Sequence, residues 1–243
     1  MITRRKLLAG IPAAGSMLLS ACKDSLPPTF GTLFDASNSL TFASHRFLLR
    51  NQPLVREFTR DKITKNFPAI NETNPKSDLY QKLLAGGFAE WRLPIEGLVA
   101  QPTELSLANL KSLPSRTQVT QHNCEQGWSA IAEWTGVPLA RVLQEAGMLP
   151  QARYVVFHTV DGWWDSLDMF DALHPQTLLA YGMNGGELPV AHGAPVRLRV
   201  ERQLGYKHLK YVSRIDVTER LDDVEDGTGA VGAAYGYSWY AGI

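Results

Sequence analysis

The 243-residue chain predicts an α+β domain built on mixed sheets. Three observations carry that prediction. Short runs of β-branched and aromatic residues recur between residues 91 and 217, helical periodicity is confined to brief stretches, and the two do not alternate as a parallel α/β sheet requires. With 44% hydrophobic residues, and roughly 190 residues left once the N-terminal segments are set aside, the body is large enough to bury one core as a single domain.

The N-terminus reads Met1-Ile2-Thr3-Arg4-Arg5-Lys6 and runs into an apolar stretch from Leu7 to Leu19, broken by Gly10, Pro12 and Gly15. That stretch is short for a permanent membrane span and has the charged start and apolar middle of a secretory signal, so residues 1–21 are expected to be removed. The arginine pair resembles a twin-arginine signal, which makes the twin-arginine translocase a partner. Leu19-Ser20-Ala21-Cys22 resembles a bacterial lipobox, in which Cys22 becomes the lipid anchor. The expected location is the periplasm or cell envelope, with the membrane touched through that lipid alone. Removal of Arg4, Arg5 and Lys6 from 24 basic residues, against 24 acidic ones, leaves a net charge of about −3, which argues against a nucleic-acid surface.

Residues 22–40 are polar and turn-rich (Asp24, Ser25, Pro27, Pro28, Gly31) and read as a flexible tether. The domain proper is expected over 41–220. Within it, Phe58 to Tyr80 reads as a long ordered loop, residues 91 to 100 as a strand with a turn, and Ser106 to Leu110 as a short helix. Arg116 to His122 alternates and is rich in β-formers, predicting a strand that runs into Cys124. Ser129 to Thr135 follows helical spacing, as does Pro138 to Ala146, where Pro138 suits a helix start and Gly147 a stop. Cys124 is therefore expected at a strand-to-helix junction, open to a ligand. Strands are predicted at Arg153 to His158, Leu178 to Met183, Val196 to Glu201 and Lys210 to Val217. Asp168 to Leu173 reads as a short helix and Asn184-Gly185-Gly186 as a turn. The glycine- and aromatic-rich tail, 221–243, is expected to pack partly on the surface.

With Cys22 lipidated, Cys124 is the one thiol left, and an internal disulfide is ruled out. Four roles remain open from the residues alone: core filler, nucleophile, metal ligand, or half of an intermolecular bridge.

Three separated blocks narrow the choice. The first is His122-x-Cys124-x-x-Gly127-Trp128-Ser129, followed by Trp134-x-Gly136-Val137-Pro138-Leu139. The second runs from Thr177-Leu178-Leu179-Ala180-Tyr181-Gly182-Met183-Asn184-Gly185 through Leu188-Pro189 to His192-Gly193-Ala194-Pro195-Val196-Arg197-Leu198. The third is Gly205-Tyr206-Lys207-His208-Leu209-Lys210. Together, in this order, they resemble the sulfite oxidase family of molybdopterin enzymes from about His45 to Val217.

The resemblance implies a molybdenum–molybdopterin cofactor, with Cys124 as the thiolate ligand to the metal. A soft thiolate suits a metal that cycles oxidation states, and coordination deprotonates the sulfur. It also implies cofactor contacts from His45, Thr159, His192, Arg197, His208, Leu209 and Lys210, with Arg197 suited by its planar fork to the terminal phosphate. Independently of it, Arg116 lies an even number of residues before Cys124, and is expected to share its face of the strand and meet an anionic substrate. Family members carry a tyrosine near the metal in the segment matching Asp161 to Leu167, where this chain has Trp163 and Trp164, and an indole lacks that hydroxyl.

The implied activity is two-electron oxygen-atom transfer on a small sulfur- or nitrogen-containing molecule, in the manner of a sulfoxide reductase or a sulfite dehydrogenase. No haem-attachment Cys-x-x-Cys-His is present, so a separate electron carrier, a cytochrome or a membrane haem or quinone protein, is implied. Two other readings of the residues are a lipoprotein cysteine hydrolase, with Cys124 attacking and His192 or His158 as base, and a non-catalytic solute-binding lipoprotein.

Overall fold

The computed structural model describes residues 33–243, so the expected signal, Cys22 and most of the tether lie outside the described residues. Helix α1 spans Leu33–Leu48, so the last part of the expected tether is helical. The reason is tertiary. Phe42, Ala43 and Arg46 fall on one helical face and are buried against distant parts of the chain.

Four shorter helices follow: α2 (Asp78–Ala85), α3 (Leu107–Ser112), α4 (Leu139–Glu145) and α5 (Met169–Ala172). Ten strands are described: β1 (Arg92–Gly97), β2 (Thr103–Ser106), β3 (Arg116–Asn123), β4 (Ser129–Pro138), β5 (Tyr154–Thr159), β6 (Trp164–Asp168), β7 (Thr177–Met183), β8 (Gly186–Glu187), β9 (Arg197–Val200) and β10 (Val212–Thr218). They form two five-stranded sheets. The first has the order β2-β1-β10-β5-β6; the second has the order β3-β4-β7-β8, with β9 paired to β7. Only β1 and β10 pair in parallel, in keeping with the α+β class.

Leu93, Ile95, Phe157 and Ile215 of the first sheet meet Trp134, Val137 and Leu179 of the second in the main core, with Leu139, Val142 and Leu143 of α4. Each such side chain contributes ~1.5–3 kcal/mol relative to exposure. Strand β5 is buried on both faces. Val155 and Phe157 point to the main core, whereas Tyr154 and Val156 join a second cluster with Phe42 of α1 and Trp239 and Tyr240 of the tail. An unbroken apolar run such as Tyr154-Val155-Val156-Phe157 is the signature of two-sided burial.

Two expectations are corrected here. Ser129–Thr135 is strand, not helix, because Ala130, Ala132 and Trp134 are buried at a period of two against β3 and β7. Cys124 consequently sits in a hairpin turn between two strands. Its N–H donates to Trp128 O at 2.9 Å, and Gly127 supplies the left-handed conformation that closes the turn (φ +90). The tail is likewise more than a surface appendage. Trp239, Tyr240 and Ala241 are buried, and Leu204 N–H donates to Ala241 O at 2.9 Å.

Charge fixes the tail and α1 in place. Arg46 bonds Asp168 at 2.7 and 2.8 Å and Asp171 at 2.9 Å, and Arg202 bonds Asp171 at 2.5 Å, all four side chains being buried. Lys207, also buried, donates to Asp165, to Ser166 O at 2.9 Å and to Trp239 O at 2.8 Å. Among the described residues no helix is long and apolar enough to cross a membrane.

Candidate active site around Cys124

A cavity of about 500 Å³ opens beside Cys124, within the range of small-molecule and cofactor sites. Five segments converge on it: the β3–β4 turn, the loop at Phe67 to Asn71, the β5–β6 turn at Thr159 to Trp163, the stretch from Ala191 to Lys210, and the tail at Tyr235 and Tyr237.

The cavity's deep end is positively charged. Arg197, 5% exposed, lies beside Arg199, and both guanidinium groups stack on Trp134 with centroid distances of 5.0 and 4.3 Å. Glu201 is bound in bidentate fashion by Arg199 at 2.7 and 3.0 Å, which leaves Arg197 without a carboxylate. Arg197 donates instead to the backbone oxygens of His192 and His208, both at 3.0 Å, while its Nε has no partner. Burial, reinforced by Arg199, pulls its pKa down to about 9. A buried cation in this position favours an anion that comes to meet it.

Lys210 lies close by and donates to Ile70 O at 2.7 Å, Ala191 O at 3.1 Å and Glu72 O, so it pins the 67–72 loop over the cavity. Burial, then Arg197, brings its pKa to about 8. His192 lines the cavity edge-on to Phe67 at 5.6 Å, and burial holds it neutral with a pKa of about 4. Leu209 and the buried His208 line the same wall. His208 uses both ring nitrogens internally, Nε2–H donating to Gln203 O at 3.0 Å and Nδ1 accepting from Val200 N–H at 3.4 Å. Thr159 lines the cavity too, with Oγ1 lying 2.5 Å from Asp161 and 2.7 Å from Trp163 O.

The Cys124 thiol is half-buried and donates to Glu125 Oε2 at 3.4 Å. Burial pushes its pKa up and the Glu125 carboxylate adds to that. No histidine is hydrogen-bonded to it, so the pairing that would activate a nucleophilic cysteine is missing. His158, one base considered for a hydrolase, faces Asp216 and Arg214 on the first sheet, both at 2.9 Å. A thiol held protonated by its surroundings is deprotonated by bonding to a metal.

The expected residues Cys124, Thr159, His192, Arg197, His208, Leu209 and Lys210 thus meet at one cavity, and two others do not. His45 lies on α1 with its ring against Tyr240, Nδ1 3.4 Å from the phenol, and is absent from the lining because α1 covers the outer face of the first sheet. Arg116 does share a face with Gln118 and His122, but it stands at the opposite end of β3, roughly 26 Å of extended chain from Cys124. There it pairs with Glu57 and Gln118 and does not line the cavity.

His122 is the most informative residue that carried no role in the sequence reading. It lines the cavity two positions before Cys124 on the same strand face, and strand parity would have found it. Arg199 donates to His122 Nδ1 at 2.9 Å, and since an arginine cannot accept, the ring hydrogen sits on Nε2. Phe67, Glu125, Tyr206, Tyr235 and Tyr237 are further lining residues. Where the Asp161–Leu167 segment lacks a phenol, Trp163 stacks on Tyr235 of the tail at 5.7 Å.

The oxidoreductase molybdopterin-binding domain family matches residues 83–224, more than half of the chain. The chain belongs to that family. Molybdenum–molybdopterin is accordingly the cofactor, and the protein is a molybdenum-cofactor oxidoreductase of the sulfite oxidase type. Among curated proteins it is 40% identical over 154 residues to the putative protein-methionine-sulfoxide reductase subunit YedZ1 of Azospira oryzae, covering 63% of this chain and 56% of that one. It is 28% identical over 237 residues to the protein-methionine-sulfoxide reductase catalytic subunit MsrP of Xanthomonas axonopodis pv. citri, covering 90% and 71%. Among solved structures it resembles the sulfane dehydrogenase SoxCD of Paracoccus pantotrophus at a TM-score of 0.52 and 26% identity, covering 59% of this chain and 40% of that one. The chain thus spans only about half the length of the first of these relatives.

The cavity suits the cofactor on its own chemistry. Arg197, with an unpaired Nε and no acidic partner, stands ready for a phosphate, and Cys124 offers one soft ligand. Among the described residues no group of three or more His, Cys, Asp or Glu converges to hold a metal. A metal bonded to Cys124 therefore arrives with its remaining ligands, as a pterin dithiolene provides.

Proposed function

We propose that this protein reduces a neutral sulfoxide of the methionine sulfoxide class in the cell envelope. The observation that carries the reading is the charge of the cavity mouth. Asp161, exposed, and Glu125, half-buried, are the carboxylates of the lining, whereas Arg197, the buried cation, is tied to backbone oxygens and Lys210, half-buried, spends its ammonium on the oxygens of Ile70 and Ala191. An anion such as sulfite meets two carboxylates at the entrance, and an uncharged sulfoxide does not. The names of the two curated relatives point the same way.

When bound, the molybdenum cofactor supplies two-electron oxygen-atom transfer. The chain's residues do the rest. Cys124 gives the thiolate; Arg197 and Lys210 oppose the cofactor's anionic end; Thr159, His192 and the His208–Lys210 segment close around it. His122, fixed as the Nε2–H form by Arg199, presents an uncharged donor to the cavity. Reduction of the sulfoxide consumes two electrons and two protons and yields a thioether and water. The electrons come from a separate carrier, a cytochrome or a membrane haem or quinone protein. Export through the twin-arginine route and lipidation at Cys22 belong to the same proposal, and would place the domain at the membrane surface beside that carrier. Replacing Arg4 and Arg5 by lysine would then strand the precursor in the cytoplasm, and normal export would exclude that route.

A dye-linked screen of molybdenum-loaded protein over a methionine-sulfoxide peptide, dimethyl sulfoxide, trimethylamine N-oxide and sulfite tests the activity. Sulfoxide reduction should exceed the other reactions. Sulfite oxidation faster than any sulfoxide reduction would overturn the reading.

A further inference from the structure

Two aromatic residues of the cavity lining come from a segment beyond the matched family domain. That domain ends at residue 224, while Tyr235 and Tyr237 of the tail line the cavity. They make two stacked pairs with residues from the body: Trp163 with Tyr235 at 5.7 Å and 13°, and Tyr206 with Tyr237 at 4.7 Å and 27°. The arrangement is fixed in place. A 3-10 turn at Val231–Tyr235 ends in Gly236, which has φ +81, and a Cβ on Gly232 would lie 3.3 Å from Tyr237 and 3.8 Å from Trp163. Further along, Tyr206 OH donates to Ser238 O at 2.6 Å, Trp239 Nε1 donates to Ser166 Oγ at 2.8 Å, and Lys207 holds Trp239 O. So much anchoring leaves the two rings pre-set rather than searching, which lowers the entropic cost of contact.

Their exposures differ in a useful way. Tyr237 and Tyr206 are half-buried inside the mouth, whereas Tyr235 is 69% exposed on its rim. A ring so placed touches only the part of a substrate that extends out of the cavity. The negative face of an aromatic ring also favours the methyl group of an oxidised methionine side chain, whose hydrogens the adjacent sulfinyl group polarises. We propose that the C-terminal tail is the specificity element of this enzyme: Tyr237 and Tyr206 receive the methyl-sulfinyl end of an oxidised methionine side chain, and Tyr235 with Trp163 receives the polypeptide flanking it. This rests on the sulfoxide reading above and adds the residues that select a peptide over a small sulfoxide.

The test compares the full-length wild type with Tyr235→Ala, Tyr235→Phe and Tyr237→Leu, each loaded with molybdenum. Steady-state rates are measured on a methionine-sulfoxide hexapeptide and on dimethyl sulfoxide, and binding of the hexapeptide is followed separately by tryptophan fluorescence. Tyr235→Ala should raise KM for the peptide about tenfold, about 1.4 kcal/mol, with kcat moving less than about twofold, whereas Tyr235→Phe should restore the wild-type KM. Tyr237→Leu should weaken peptide binding by a similar factor. Peptide turnover with an unchanged KM in both Tyr235→Ala and Tyr237→Leu overturns the role of the tail and leaves the sulfoxide reading standing. Peptide binding that the variants lose, in a wild type that reduces no sulfoxide, keeps the tail as a recognition element and overturns the reaction. Neither binding nor turnover in the wild type overturns both. Circular dichroism of each variant sets aside loss of fold, and Tyr235, being largely exposed, is the position least able to cause it.

Discussion

The deep end of the cavity and its mouth are made of different materials. The deep end consists of buried cations and neutral histidines on β3, β9 and the segment leading to β10, all inside the family domain. The mouth consists of carboxylates and stacked aromatic rings, half of them from a tail beyond that domain. On the proposals above, the contrast separates two tasks, holding the cofactor and choosing the substrate. The first needs charge shielded from water, where electrostatic contacts are strong; the second needs polarisable surface at the edge of solvent.

The comparison breaks hardest at Arg46. Changing Arg46→Met leaves Asp168 and Asp171 buried with Arg202 as their remaining cation. Stability should fall by ~3–5 kcal/mol, read as a drop in the urea midpoint; a loss below about 1 kcal/mol would mean α1 is held by packing alone. Next comes Cys124→Ser, which should keep the fold but lower turnover by at least ~100-fold, more than the 10–100-fold typical of outer-shell residues. The metal's electron paramagnetic resonance spectrum should change with it, and full activity with an unaltered spectrum would remove the thiolate ligand.

Arg197→Lys sharpens the separation of the two ends. A lysine cannot span both His192 O and His208 O, and the loss of one charge-assisted bond, ~1.5–3 kcal/mol, should weaken pterin binding by about 10- to 150-fold. The KM of whatever loaded enzyme remains should stay near wild type. A raised KM with full loading would place Arg197 on the substrate instead.

The most gradual effect expected is one with pH. Burial, then Arg202, brings His174 to about 4, and burial with Arg199 holds His208 well below the ordinary histidine value. Both are neutral in the fold and take up a proton on unfolding. Their contribution is therefore fully present above pH ~6.5 and is lost as pH falls, at about 1.4 kcal/mol per pH unit for each. Denaturation between pH 7 and 5 measures the slope, and His174→Gln should remove its share; a flat profile would mean that the rings gain protons without unfolding.

Much of this was legible in the chain before folding. Cys124, His192, Arg197 and Lys210 come from three blocks whose resemblance to the sulfite oxidase family implied one cofactor for them, and they line one cavity. Residues placed by longer-range packing were not. The spacing of Ser129–Thr135 is compatible with a helix, and only pairing with β3 and β7 makes it a strand. Arg116 had the right parity, but parity fixes a face and not a distance along it. His45 was implied by the family resemblance, yet Phe42 and Arg46 draw its helix to the far side of the first sheet.

The sequence by itself determined the class of fold, because the pattern of short apolar runs carries it, and its resemblance to the sulfite oxidase family named the cofactor, while the residues alone left four roles open for Cys124. Only the tertiary structure decided which charges face the entrance and that a glycine-rich tail supplies its aromatic wall. Those properties depend on contacts between residues up to 195 positions apart, such as Tyr240 with His45, and no local pattern encodes them.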